Sequence, residues 1–101
     1  MVARNTFMFR ILSSVWPDLA EWLHLVEEGM TPEQTLTFHA SINRALDEAA
    51  ESFSSIPMHD DRGDRVLACF LSELDREHEG LWERLPQEIR KGLEVYRAEV
   101  E

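Results

Sequence analysis

The chain has 101 residues, with 20 Asp and Glu against 10 Lys and Arg, and a formal net charge of −10 at pH 7. That length predicts a single helical domain, 1–101, with one modest core, and a composition of 44% apolar and 30% charged residues excludes wholesale disorder. The acidity excludes direct binding to nucleic acid or to an anionic membrane surface, since both need a basic footprint; it favours high solubility or a basic protein patch as partner.

Cys69 is the one cysteine, so no internal disulfide can form and a reducing cytoplasm is the expected compartment. No run approaches the roughly 18 apolar residues of a membrane span. Arg10 interrupts the apolar start and no small-residue cleavage site follows, so a signal peptide is not expected. Lys91 is the only lysine among 10 basic residues, a bias of GC-rich coding sequences of bacterial or phage type.

Asn5 or Thr6 is placed to cap a first helix running to about Val15. Phe7, Met8, Phe9, Ile11, Leu12, Val15 and Trp16 surround one charge, Arg10. A helix apolar on nearly every side must be buried on nearly every side. Residues 1–16 are therefore either the central element or a surface covered by another chain, a second copy included. In the second case Phe7, Phe9, Ile11, Leu12 and Trp16 are the partner-binding anchors.

Trp16 precedes proline, which bends the chain, and Pro17 and Asp18 suit the first turn of a second helix. Its stripe is Leu19, Trp22, Leu23 and Val26, with Gly29 as the stop. Thr31-Pro32-Glu33-Gln34 then forms a capping box with proline at the first helical position. The helix it opens, ended by Pro57, reads as the element around which the rest is arranged. Ile42, Leu46, Ala49, Phe53 and Ile56 form its seam, widened by Phe38, Ala45 and Ala50. Asn43, Arg44, Asp47, Glu48 and Glu51 face away, and Arg44 and Glu48 are spaced as an i,i+4 pair. A loop and cap over 58–64 leads to a fourth helix, about Asp64 to Glu79, burying Val66 or Leu67, Phe70, Leu71 and Leu74. Gly80 stops it. Pro86 opens a last helix with Ile89, Leu93, Tyr96 and Val100 on one face, and Gly92 beside them. No strand period, hairpin signal or repeat is present. The expected fold is all-α: about five helices in a small irregular, dimeric bundle.

Candidate chemistry is sparse. Glu21 and His24, and Asp75 and His78, have the Glu-x-x-His type of spacing used in di-metal bundles, but Glu21 points away from its helix's apolar face. His39 precedes Ile42 by one turn and reads as a core-edge imidazole, or as a pH-sensitive or partner-contacting one. His59 beside Asp60 and Asp61 completes no EF-hand pattern. Cys69, among Ala68, Phe70 and Leu71, reads as a buried structural thiol. Arg62-Gly63-Asp64 matches a short adhesion tripeptide by coincidence. No positioned base or oxyanion site is evident, and phosphate-binding and nucleophile-elbow patterns are absent. The expectation is no catalytic, metal or cofactor-binding residues, and no enzyme.

Two functional readings remain. The first is a non-enzymatic regulator that occupies a partner protein's surface, with acids around Glu27, Glu28, Glu33 and Glu73 to Glu83 steering encounter with a basic partner. In size, acidity and helical content the chain resembles the small bacterial antiactivators of LuxR-type quorum-sensing transcription factors. The resemblance is general over the whole chain and carries no diagnostic motif, so it transfers no residue roles. It implies inhibition of a transcription regulator by disruption of its dimer. The second reading is an acidic nucleic-acid mimic, such as a phage inhibitor of a CRISPR or restriction complex, in which carboxylates replace phosphates. Acids distributed over the helices rather than gathered in one stripe weaken it. A structural subunit or secretion chaperone is a third reading.

Overall fold

Thr31 begins the longest element as its sequence dictates. Its hydroxyl accepts from the Gln34 amide at 3.2 Å, and the Gln34 side chain accepts from the Thr31 amide at 2.9 Å. The computed structural model describes the backbone of residues 2–57 and 60–100 and the side chains of 6–57 and 60–97. Among these, the chain forms α1 (Val2–Val15), α2 (Leu19–Glu27), α3 (Pro32–Ser55), α4 (Arg62–Glu77), a 3-10 turn (Trp82–Arg84) and α5 (Gln87–Val100). No strand occurs among the described residues, and the architecture is an all-α bundle. No helix among them is long and apolar enough to cross a membrane.

The hub is α4 rather than α3. It packs on α1, α3, α5 and the 3-10 turn. The cause is its composition: Val66, Leu67, Ala68, Phe70, Leu71, Ser72 and Leu74 are all sealed from solvent, a stripe wider than one neighbour can cover. α3 is its principal partner, and the two run antiparallel. Arg44 pairs with Glu77, His78 meets Ser41, Ser52 bonds Cys69, and Arg62 reaches Phe53.

The buried face of α3 is centred on Phe38, Ser41, Ala45 and Ala49, while Ile42, Phe53 and Ile56 are only half-buried. Ser41 and Ala45, one turn apart, hold inner positions on this face, where the Ser41 hydroxyl is satisfied by the Thr37 carbonyl and by His78. His39 consequently leaves the core edge. Its ring is half-exposed and bonded to the Glu27 carboxylate, which pins α3 to the end of α2. Arg44 spans to Glu77 instead of pairing along its own helix with Glu48.

The α3–α4 connection is held by Arg62. Its guanidinium donates to the Phe53 carbonyl through Nη2 at 2.6 Å and Nε at 3.2 Å, and lies 3.7 Å from the Phe53 ring centroid. A cation there satisfies an orphan carbonyl at the negative end of α3. The expectations on His59 and on the side chain of Val100 fall outside the described residues.

On α2 the buried set is Leu19, Trp22, Leu23 and Val26, the stripe the sequence carries. Its exit differs from expectation, because Gly29 does not take a positive φ. Glu28 donates back to His24 and Leu25, and Met30 to Glu27, so the turn closes through ordinary backbone bonds. Gly80 does not stop α4 either: the helix ends at Glu77 with His78 as its cap, and Gly80, at φ 90°, is the third residue of the turn closed by the Leu81 N–H donating to the His78 carbonyl at 3.1 Å.

Candidate protein-contact surface

α1 begins at Val2, before the Asn5 or Thr6 start the sequence suggested, and its turns sort the five expected anchors onto three faces. Met8, Leu12 and Trp16, four apart, point inward at 1%, 0% and 5% exposure. Leu12 and Trp16 are therefore core residues of this chain, not groups that a partner of the folded molecule can touch. Phe9 is half-buried on one flank beside Ser13. Phe7 and Ile11 lie on the opposite flank, one turn apart and in line with Val15. Ile11 and Val15 are half-buried against the core, while Phe7 is 58% exposed. The accessible apolar edge of α1 is thus the row Phe7, Ile11, Val15, with Arg10 and Ser14 alongside it.

The charge pattern of that edge differs from the rest of the molecule. α1, with the sequence VARNTFMFRILSSV, contains no Asp or Glu, although the chain carries 20. The acids begin at Asp18. The helix with the exposed phenylalanine is therefore also the one that adds no negative charge to an approaching surface.

Many acids expected to steer a basic partner are engaged within the fold. Glu27 is held by His39, with His24 also 3.8 Å from it; Glu77 pairs with Arg44, Glu73 with Arg76 and Glu83 with Arg90. Glu28 and Glu33 remain exposed and without an ion pair among the described residues.

Of the remaining constellations, Asp75 and His78 are each bonded within the fold. Asp75 accepts the Trp82 amide at 2.9 Å and an Arg97 N–H at 2.8 Å, so both its oxygens are occupied. Glu21 and His24 are exposed on α2, and no group of three or more His, Cys, Asp or Glu among the described residues is arranged to hold a metal ion. Ser41 and His78 form a contact of 3.1 Å that sequence spacing gave no means of finding. The Ser41 hydroxyl donates its single proton to the Thr37 carbonyl, so the His78 N–H must donate to the Ser41 oxygen. That is the reverse of a serine activated by a histidine base. The Phe38 ring, edge-on to His78 at 5.1 Å, fixes the imidazole.

A groove of about 350 Å³ beside His78 is lined by Met30, Glu33, Gln34 and Thr37. The Gln34 side chain and the Thr37 hydroxyl are committed to backbone groups of α3's first turns. Cys69 is half-buried, and burial, ahead of any neighbouring charge, pushes its thiol pKa up, away from the thiolate a nucleophile requires. Comparisons with protein-family models, curated proteins and solved structures returned no match.

Proposed function

We propose that this chain is a non-enzymatic regulator that binds a protein partner through the outer edge of α1, with Phe7 and Ile11 as the contact residues and Phe9 as a flanking one. The observation that carries the reading is Phe7, an aromatic side chain 58% exposed on a helix free of acids in a molecule of net charge −10. Exposed aromatics that insert into a partner's pocket dominate interface energetics, and a charge-poor rim lets two surfaces desolvate at low cost. The partner class favoured is a transcription regulator whose own helix the α1 edge displaces, with inhibition as the consequence. A second copy of the chain, docked edge to edge, is the other occupant such a helix suits.

The test is Phe7→Asp in the full chain, with binding and light scattering measured beside a thermal melt. The variant is expected to keep its fold and to lose complex formation or self-association. A folded Phe7→Asp chain that still binds and inhibits as before would refute the assignment of this edge.

A further inference from the structure

The accessible edge of α1 runs into a cleft. Between the end of α1 and the start of α4 and α5 lies a space of about 130 Å³, bordered by Val15, Ile89 and Gly92 and rimmed by Asp64 and Glu88. We propose that the edge is self-complementary: in a twofold dimer, Phe7 of each copy enters the cleft beside Val15 of the other. The proposal rests on the reading of the α1 edge as a contact surface. It names a second copy of the chain as the resting occupant, so that self-association and the binding of another partner exclude each other.

The geometry is that of two antiparallel helices. Phe7, Ile11 and Val15 form one row in steps of four residues. Turning a second copy end for end therefore sets Phe7 against Val15 at both ends and Ile11 against itself on the axis. About two turns of helix, roughly 12 Å, separate Phe7 from the cleft of its own chain, so the molecule cannot fill the cleft with its own ring. The size fits, since about 150 Å³ of apolar cavity holds a benzene molecule. The border is accessible and apolar. Val15 and Ile89 are half-buried, Gly92 is exposed, and a β-carbon on Gly92 would meet no atom within 4 Å. Val95, one turn beyond Gly92 on α5, is 62% exposed and prolongs that border.

Charge complementarity names the occupant. Asp64 and Glu88 stand in the first turns of α4 and α5, and neither has a hydrogen bond or ion pair among the described residues. The positive helix ends offset about half a unit of charge at each carboxylate, which leaves the rim negative. α1 supplies the opposite sign: its charges are Arg4 and Arg10, three residues either side of Phe7, and it contains no acid. Arg10 is exposed and also lacks an ion pair among the described residues. Docking Phe7 brings both arginines within a turn of the two carboxylates. Two copies at −10 each repel one another, and α1 is the one described helix that carries arginine and no acid to the contact.

The experiment is sedimentation equilibrium of the full chain from about 1 μM to about 1 mM. One helix edge and one cleft make a small interface, so association should be weak, with a Kd of about 10–100 μM. Phe7→Asp and Gly92→Leu should each weaken it about tenfold or more. Gly92→Leu should melt no lower than wild type in dilute solution, because its new side chain enters open space. An equimolar mixture of the two variants should associate more tightly than either alone, since Phe7 of the Gly92→Leu chain still enters the open cleft of the Phe7→Asp chain. Arg10→Glu should weaken the wild-type dimer about fivefold. A wild-type chain that stays monomeric over the whole range would overturn the proposal and leave the α1 edge to a different protein. A dimer lost in Phe7→Asp but untouched by Gly92→Leu, or no gain on mixing, would overturn the cleft as the receptor of Phe7 while sparing the edge. A dimer that Phe7→Asp leaves intact would overturn the self-contact altogether.

Discussion

Asp75 and Arg97 meet at 2.8 Å, and through that contact the last helix is fastened to the hub of the bundle. The carboxylate's other oxygen holds the Trp82 amide at 2.9 Å, while the Arg97 guanidinium lies 4.5 Å from the Trp82 ring centroid. One acid thus ties α4, the 3-10 turn and α5 together. Both side chains are mostly buried, at 17% and 22% exposure, so the pair is shielded from solvent screening. Asp75→Ala should cost about 2–3 kcal/mol by removing the acceptor of the Trp82 amide and one ionic partner of Arg97. Asp75→Asn keeps an acceptor for Trp82 and should cost about half as much. Urea unfolding of the two variants checks the order.

Gly63 faces Val15 so closely that a β-carbon placed on it would lie 2.6 Å from Val15 Cγ2. Gly63→Ala gains helix propensity of at most about 1 kcal/mol, but overpacking between α1 and α4 costs about 1–3 kcal/mol. Net destabilisation is expected. Adding Val15→Ala should relieve the clash, giving a favourable coupling in a double-mutant cycle.

Cys69 supplies a pH signature. Burial raises its pKa above the ordinary 9.0, and Tyr96 is raised above 10.0 by burial and by the Asp61 and Asp64 carboxylates. A group whose folded pKa lies above its unfolded value stabilises the fold below the unfolded value, and that contribution is lost as pH rises. Stability should therefore fall once pH passes 9.0, where the unfolded thiol ionises first, and fall further where the unfolded phenol ionises, above 10.0. Cys69→Ala should remove the onset and leave the later decline due to Tyr96, as seen in melts across alkaline pH.

Local rules made much of the fold legible. The capping box at Thr31 and Gln34 forms bond for bond, the α2 stripe is buried at all four positions, and Val66, Leu67, Phe70, Leu71 and Leu74 all lie in the core. Long-range contacts were not legible. Ser41 took an inner place because its hydroxyl is satisfied there by the Thr37 carbonyl and by His78, a pairing that hydrophobic periodicity does not register. Arg44 found Glu77, 33 residues away, in place of Glu48 on its own helix. At the candidate site the apolar surplus of α1 was readable, but its division was not. Only packing against α3 and α4 could decide that Leu12 and Trp16 face in and Phe7 faces out.

That division predicts opposite outcomes for two similar changes. Leu12→Asp places a carboxylate in the core and should cost about 3–5 kcal/mol, a large part of a small domain's stability. Phe7→Asp should alter stability by less than about 1 kcal/mol. Far-UV circular dichroism melts of the two variants distinguish them directly.

The nature of the contact is open to salt titration. An interface anchored by Phe7 and Ile11 should lose little affinity between low and moderate salt, whereas a mimic of nucleic acid should lose it steeply.

The most direct measurement is site-specific photo-crosslinking, with benzoylphenylalanine introduced at Phe7 and, as a control, at the exposed Glu51. The account predicts one dominant protein adduct at position 7, absent at position 51 and competed away by the unmodified chain but not by its Phe7→Asp variant. Adducts of equal yield at both positions, or competition by the variant as effective as by wild type, would contradict it.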